Sequence, residues 1–379
     1  MRALYRLVSF RLSGYNVVGM KTTLANLKIS LEQSLSFRDR GALLVDVRTP
    51  AEYAEATIPG AINIPLFSND ERAEIGTIYT QIGKKEARMR GIELVAPKIP
   101  DFIRQLQEVD RRDDLPIIVF CWRGGDRSRT MATFFDLAGI SARQIEGGHK
   151  AFRRHVLDYF EEGRWGRLLV LRGLTGVGKT LALNRLKQDG YPVIDLEGLA
   201  NHRGSAFGNL GLAPQPGQKL YETLLWDELR HIAPDGYALV EGESRHIGRV
   251  ALPKRLYDAM QTEKSIWLHT DIETRIKCIL DDYPARDEMK EEFARPIQAI
   301  KERLGGEAVS KMLALLEAGE WEELVRELMV RYYDPLYQHT FPERRIEVEL
   351  DPFAGSLDAL KGAIQQVLEV DDFPCGGVF

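Results

Sequence analysis

Eight residues near the middle of the chain have the types and spacing to hold a phosphate chain. Gly173-Leu174-Thr175-Gly176-Val177-Gly178-Lys179-Thr180 fits G-x-x-x-x-G-K-[ST]. Glycines let backbone N–H groups converge on an anion, and a helix starting there adds the positive end of its dipole. Lys179 has the reach for terminal phosphates, and Thr180 has the hydroxyl that holds a magnesium ion in such loops. The pattern binds phosphates without saying which molecule carries them.

A second stretch puts sulfur at the focus of a similar cradle. Cys121-Trp122-Arg123-Gly124-Gly125-Asp126-Arg127-Ser128 follows an apolar run, and Ser128 to Leu137 has helical spacing. Converging N–H groups, a helix start and Arg127 are the surroundings of a reactive cysteine. The C-x5-R spacing from Cys121 to Arg127 is long enough to wrap a tetrahedral oxyanion.

Acids end two further apolar runs. Tyr191-Pro192-Val193-Ile194 closes on Asp195, and Tyr237-Ala238-Leu239-Val240 runs into Glu241-Gly242-Glu243-Ser244-Arg245. Phosphate-loop proteins place a magnesium-side carboxylate at such a strand end, and either Glu241 or Glu243 suits it, with Asp195 in support. Leu196 to Gly208 is polar and glycine-rich, as a loop closing over a ligand is. His202, Arg203 and Ser205 in it, and Arg245 beyond it, are candidate contacts to an anion. No metal-ligand set is certain.

These residues need rigid strands and helices behind them. Short apolar runs at Ala42–Arg48, Leu115–Phe120, Arg167–Leu171, Tyr237–Val240 and Ser265–Leu268 read as buried strands, the first ending in polar residues. Between them lie helical patterns: Pro50 to Ala56, a polar region from Asp70 to Arg90, Pro97 to Val109, and Ala151 to Phe160. Beyond Asp271 the chain reads as mostly helical (Glu273–Leu280, Glu291–Leu304, Ala308–Ala318, Glu320–Tyr333). A late strand at Arg344–Leu350 and a last helix at Ala359–Val367 follow. Trp321, Tyr332, Tyr333 and Tyr337 read as core aromatics. Strands alternating with helices predict α/β domains with parallel sheets. The expected division is residues 21–160, residues 161–379 with a helical C-terminal part, and residues 1–20 as a loose arm or an over-long start before Met20.

Length and composition agree with this plan. The 379 residues suit two domains at ~100–200 residues each. A net charge of −5 gives no global pull towards nucleic acid, so a polyanion must meet a local basic patch. Arg143 to Arg172 is such a candidate track, or else a solvated face. Cys121, Cys278 and Cys375 form no C-x-x-C pair and suggest neither disulfides nor zinc. No apolar run reaches the ~20 residues of a membrane span. A reducing cytoplasm is the expected compartment.

Asp46-Val47-Arg48 with Glu52, Ile58-Pro59-Gly60-Ala61-Ile62-Asn63-Ile64-Pro65, the Cys121 loop and Glu146-Gly147-Gly148 together resemble a rhodanese domain. In that family the loop cysteine carries sulfur as a persulfide. The loop here is a residue longer than the common sulfurtransferase form and is similar to that of the rhodanese-related phosphatases, which favours a larger anion. Joined to the P-loop, the Asp195–Gly208 block, Glu243-Ser244-Arg245 and Tyr332-Tyr333-Asp334-Pro335, the whole resembles the tRNA 2-selenouridine synthases from about Asp39 to about Tyr337.

That resemblance implies a transferase acting on wobble 2-thiouridine of tRNA in two steps. Geranyl diphosphate alkylates the sulfur, and selenium from selenophosphate then replaces the S-geranyl group. It implies geranyl diphosphate at Gly173, Thr175, Gly176, Gly178, Lys179 and Thr180, with Mg2+ as an optional aid. It implies selenophosphate at Trp122, Arg123, Gly124, Gly125, Arg127 and Ser128, with Cys121 either taking selenium as a perselenide or assisting its transfer. A selenophosphate-producing enzyme is a candidate partner. The tRNA dimethylallyltransferases are a similar case, using a P-loop on a prenyl diphosphate. The residues alone leave two other readings open. One is a P-loop kinase or ATPase carrying a rhodanese sulfurtransferase domain. The other is a non-catalytic sensor.

Overall fold

The computed structural model describes residues 27–283, 287–337 and 342–369. The expected arm at 1–20 and Cys375 lie outside these residues. The chain divides into two compact units. One holds the described residues up to Pro50 together with Gly60–Ala151, and the other holds Ala51–Pro59 and the chain from Phe152 onward. The change of unit falls inside one helix, Gly148–Glu162.

The first unit is built on a parallel sheet of β1 (Lys28–Ile29), β2 (Leu44–Asp46), β3 (Ala61–Asn63), β4 (Ile117–Phe120) and β5 (Ala142–Ile145). Its strand order is β1-β5-β4-β2-β3. β2 and β4 are buried along their whole length, as parallel strands covered on both faces must be. Val45, Val119, Met131 and Phe135 meet in the core. β1 is only two residues long and was not legible as a strand. The expected helical region from Asp70 to Arg90 is two helices, Asn69–Gln81 and Lys84–Val95. Gly83 between them sits at φ +153°, which a side-chain-bearing residue rarely adopts.

The second unit carries β6 (Arg167–Gly173), β7 (Val193–Ile194) and β8 (Tyr237–Glu241), then a small antiparallel pair β9 (His246–Ile247) and β10 (Val250–Ala251). β11 (Ser265–His269) and β12 (Arg345–Glu349) complete its main sheet, which is parallel in the order β12-β11-β6-β8-β7. Leu169, Leu171, Leu239, Ile266 and Leu268 form its core. The chain leaves β6 towards β8 and β7 and later returns on the other side with β11. β6 is therefore a topological switch point, where α/β sheets open a crevice at the carboxyl ends of their strands. The helices beyond Asp271 close a second apolar cluster around Phe293, Ile297, Met312 and Leu324. Trp321, Tyr332 and Tyr333 pack against it, as core aromatics would.

Candidate active site

In the first unit, β4 delivers Cys121 to the carboxyl edge of the sheet, and the helix Asp126–Leu137 starts five residues later. The sulfur accepts the Gly125 N–H at 3.3 Å and the Ser128 hydroxyl at 3.2 Å. Gln144 on β5, buried, donates to Ser128 Oγ at 2.8 Å and to the Gly125 carbonyl at 2.9 Å. It therefore fixes which way the Ser128 hydroxyl points. Sequence reasoning missed Gln144, because one glutamine in a strand carries no pattern.

The Glu146-Gly147-Gly148 turn clamps the loop from behind. The His149 N–H reaches the Cys121 carbonyl at 2.9 Å, and the Lys150 N–H reaches the Trp122 carbonyl at 2.8 Å. A Cβ at Gly148 would stand 2.2 Å from the Cys121 oxygen and 2.5 Å from the Gly124 nitrogen. Only glycine allows this approach. Trp122 is 37% exposed and lies tilted against His149, with ring centroids 5.7 Å apart. Arg123 is exposed and Arg127 half-buried.

Nearby, Asp46 and Arg48 form a fully buried pair. Arg48 Nη2 meets Asp46 Oδ2 at 2.6 Å, and its Nε and backbone N–H both reach Oδ1 at 3.0 Å. Asn63 Nδ2 donates to the carbonyls of both residues. Asn63, at the end of β3, thereby ties that strand to the backbone at the end of β2.

In the second unit the P-loop opens on a cleft of about 770 Å³ that also takes in Glu197, Arg203, Ser205, Glu243 and Tyr333. Lys179 heads the helix Lys179–Gln188, and its Nζ donates to the Gly173 carbonyl at 3.3 Å. The Thr180 hydroxyl lies 3.4 Å from Glu197 Oε2. Arg172, also on the cleft wall, donates to Ser265 Oγ and the Met260 carbonyl.

Carboxylates crowd this end of the sheet. Glu241 is buried and accepts the Glu197 N–H at 2.6 Å. Burial and nearby Asp195 hold its pKa well above the carboxylate range. Burial, then Glu243 and Glu241, push Glu197 up to about 9 against the pull of Lys179. Glu243 is raised by burial, offset by Lys179 and by a hydrogen bond with Glu197. Like charges this close share protons rather than all ionising. Glu197 is the member the sequence reading did not name. An acid two residues beyond Asp195 at a strand end was the available signal.

The donor set suits a magnesium ion of limited kind. Among the described residues no group of three or more His, Cys, Asp or Glu could hold a metal. Magnesium keeps several waters and takes substrate phosphates as ligands. Thr180 and Glu197 are the residues that would hold it, where it would offset the crowded negative charge.

Other predicted contacts take different places. Asp195 caps the helix Leu196–Ala200, its Oδ1 accepting the Gly198 N–H at 2.7 Å. His202 is buried, with its Nδ1 accepting the Gly204 N–H at 3.2 Å. Burial and Arg203 lower its pKa. Accepting that N–H, the ring staples the loop. Arg203 pairs with Asp282 at 3.0 Å, donates to two carbonyls and lies over the Tyr283 ring. Ser205 Oγ lies 2.8 Å from the Tyr283 hydroxyl. Arg245 is exposed. The basic run from Arg143 to Arg172 is largely committed in the second unit: Arg153 to Glu222, Arg154 to Asp158 and Arg167 to Glu263.

One residue outside the motifs anchors the P-loop. Arg275 is buried in the helix Ile272–Asp282. Its Nε donates to the Thr175 carbonyl at 2.9 Å, and its two Nη atoms hold the Asp334 carboxylate at 3.0 and 2.6 Å. This gives the Tyr-Tyr-Asp-Pro block a physical task.

Residues 30–155 match the rhodanese-like domain, and residues 166–369 match the tRNA 2-selenouridine synthase AAA domain. A tRNA 2-selenouridine synthase from Bdellovibrio bacteriovorus is 34% identical over 345 residues, covering 80% of this chain and 90% of that protein. This chain belongs to the tRNA 2-selenouridine synthase family. A synthase of the same description from Nitrosomonas europaea is 31% identical over 85% of this chain and 94% of its own length. Among solved structures, an N-terminal domain of a Clostridium difficile 630 protein described as ATP/GTP binding is 40% identical. It covers 34% of this chain and 98% of that one, with a TM-score of 0.31. The family match spans both cradles, so the Cys121 loop and the P-loop are parts of one family architecture. Among the described residues no helix is long and apolar enough to cross a membrane.

Proposed function

We propose that this chain is a tRNA-modifying transferase that turns wobble 2-thiouridine into 2-selenouridine by way of an S-geranyl intermediate. The observation that carries the reading is family membership over most of the chain, with an anion cradle in each family domain.

The first step belongs to the second unit. The thiocarbonyl sulfur forms a bond to C1 of geranyl diphosphate, the C1–O bond breaks, and its electron pair leaves with diphosphate. The N3 proton goes to solvent. Lys179 and the N–H groups at the helix start stabilise the charge gathering on the leaving group. Such electrostatic support is often the largest catalytic contribution.

The second step belongs to the Cys121 loop. The selenium of selenophosphate adds to C2, the C2–S bond breaks, and geranylthiol departs with a proton. Water then cleaves the P–Se bond, leaving phosphate and 2-selenouridine. This sequence balances without an oxidant. A perselenide on Cys121 would require two electrons to be removed from a thiolate and a selenide, and nothing in the reaction accepts them. Cys121 is therefore assigned to holding and assisting the selenium donor.

The test is mass spectrometry of nucleosides from thiouridine-containing tRNA incubated with no donor, geranyl diphosphate, selenophosphate, or both. Geranylated thiouridine with the first donor and selenouridine with both is the expected result. Unchanged tRNA in all four reactions overturns the reading.

A further inference from the structure

Next to the P-loop lies a slot of different character. Its rim is shared with the P-loop cleft through Thr175, Ser205, Ile279, Tyr283 and Tyr333. Away from the loop its walls are Phe293, Trp321, Leu324, Val325 and Leu328. At the rim, Ser205 Oγ and the Tyr283 hydroxyl are bonded to each other, and the Thr175 carbonyl is held by Arg275.

The P-loop backbone touches this slot directly. A Cβ at Gly176, which sits at φ +79°, would stand 2.8 Å from Met329 Cε and 3.0 Å from Ile279 Cγ1, both slot-wall atoms. Thr175 of the loop lines both the slot and the P-loop cleft, so a diphosphate held by the loop would lie beside the slot. Met329 opens a wide π-type turn, Met329–Tyr333, that also carries Tyr333 to the rim. Such turns recur at functional sites.

The chemistry of the walls selects the occupant. A nucleoside pushed in among Phe293, Leu324, Val325 and Leu328 would bury ribose hydroxyls and base edges against hydrocarbon, which is costly for each unpaired group. A hydrocarbon chain would lose nothing and gain burial. We infer that the slot bounded by Phe293, Trp321, Leu324, Val325 and Leu328 receives the hydrocarbon chain of an alkyl diphosphate whose diphosphate lies in the P-loop. The inference rests on the proposed use of the P-loop as a diphosphate cradle and adds where the chain goes and what limits its length.

The experiment is equilibrium binding to the full chain, by calorimetry, of inorganic pyrophosphate, dimethylallyl diphosphate, geranyl diphosphate and ATP. Affinity is expected to climb with the chain, reaching roughly 100-fold over pyrophosphate for geranyl diphosphate, with ATP weaker than geranyl diphosphate. Val325→Phe, which fills the half-buried wall position, is expected to cut the geranyl-over-pyrophosphate preference by about tenfold or more. Trp321→Ala is expected to shift the preferred chain towards farnesyl diphosphate. Equal binding of pyrophosphate and geranyl diphosphate by the unaltered protein overturns the inference, as does ATP binding more tightly than geranyl diphosphate. These readouts need no tRNA, so the slot can fail while geranylation of tRNA is still observed, and the reverse holds equally.

Discussion

Arg275 holds Asp334 with both terminal guanidinium nitrogens while its Nε holds the carbonyl of Thr175, so one buried side chain joins the P-loop to the Tyr-Tyr-Asp-Pro block. Asp334→Ala leaves this guanidinium buried without its counter-charge. The expected loss of stability is roughly 2–3 kcal/mol, below the range for a fully buried pair because Asp334 keeps some water. Pyrophosphate affinity is expected to fall as well, since the guanidinium that holds the Thr175 carbonyl loses the carboxylate that orients it. Urea denaturation and calorimetry read the two effects separately. An unchanged unfolding midpoint would count against the anchor.

Lys179→Ala is expected to slow S-geranylation by about 10²–10³-fold, the scale of losing one preorganised donor to a developing anion. Selenation of tRNA that already carries S-geranylthiouridine tests whether the effect is confined to the first step. Nucleoside mass spectrometry over time distinguishes the two outcomes. Equal losses in both steps would place Lys179 in shared tRNA binding.

Gly148→Ala places a methyl group 2.2 Å from the Cys121 carbonyl oxygen. The loop must shift, and a shift near an ångström at a reacting group costs about 10²-fold in rate. The selenium step is expected to fail on that scale while pyrophosphate binding persists. Cys121→Ser is the companion variant, keeping the loop and removing the sulfur.

Asp46→Ala is expected to destabilise the first unit by about 3–5 kcal/mol, because buried Arg48 would lose the carboxylate that faces its guanidinium. Differential scanning calorimetry of the full chain reads it. A loss under about 1 kcal/mol, as exposed pairs give, would show that the buried pair contributes little to the first unit.

Burial pushes the Cys278 thiol up to about 11, with Asp281 adding to the effect. The raised value means that the thiol stays protonated at neutral pH and ionises only near that value. Iodoacetamide labelling of Cys278, followed by peptide mass spectrometry, is expected to be very slow at pH 8 and to rise about tenfold per pH unit up to pH ~11. The linked stability is fully present below the unfolded thiol's pKa of ~8.5 and is lost between there and about 11. Fast labelling at pH 7 would contradict the burial.

Motifs that are local in sequence were legible, and pairings across the chain were not. The P-loop, the Cys121 loop and the acids ending β7 and β8 announce themselves within a few residues, because each needs glycine or an apolar strand beside it. The parallel α/β plan followed from the same alternation. Gln144, Glu197 and the Arg275–Asp334 pair are ordinary in their local pattern and gain meaning only from what folds against them. The 59-residue separation of Arg275 and Asp334 shows the limit. Periodicity also joined helices that the chain divides. Glu291 to Leu304 is two helices, Lys290–Ala299 and Lys301–Leu304, with Pro296 inside the first. The tie of His202 to Gly204 likewise depends on a turn that composition alone does not fix.

The glycine clamp behind Cys121 separates where the sulfur sits from what it meets. The loop under the sulfur is held by the His149 and Lys150 N–H groups and by the close approach of Gly148, while the side chains of Trp122 and Arg123 are exposed. Substitution at Trp122 or Arg123 can thus change which molecules are admitted without moving the reacting atom. A family built this way can diverge in selectivity while its chemistry stays in register.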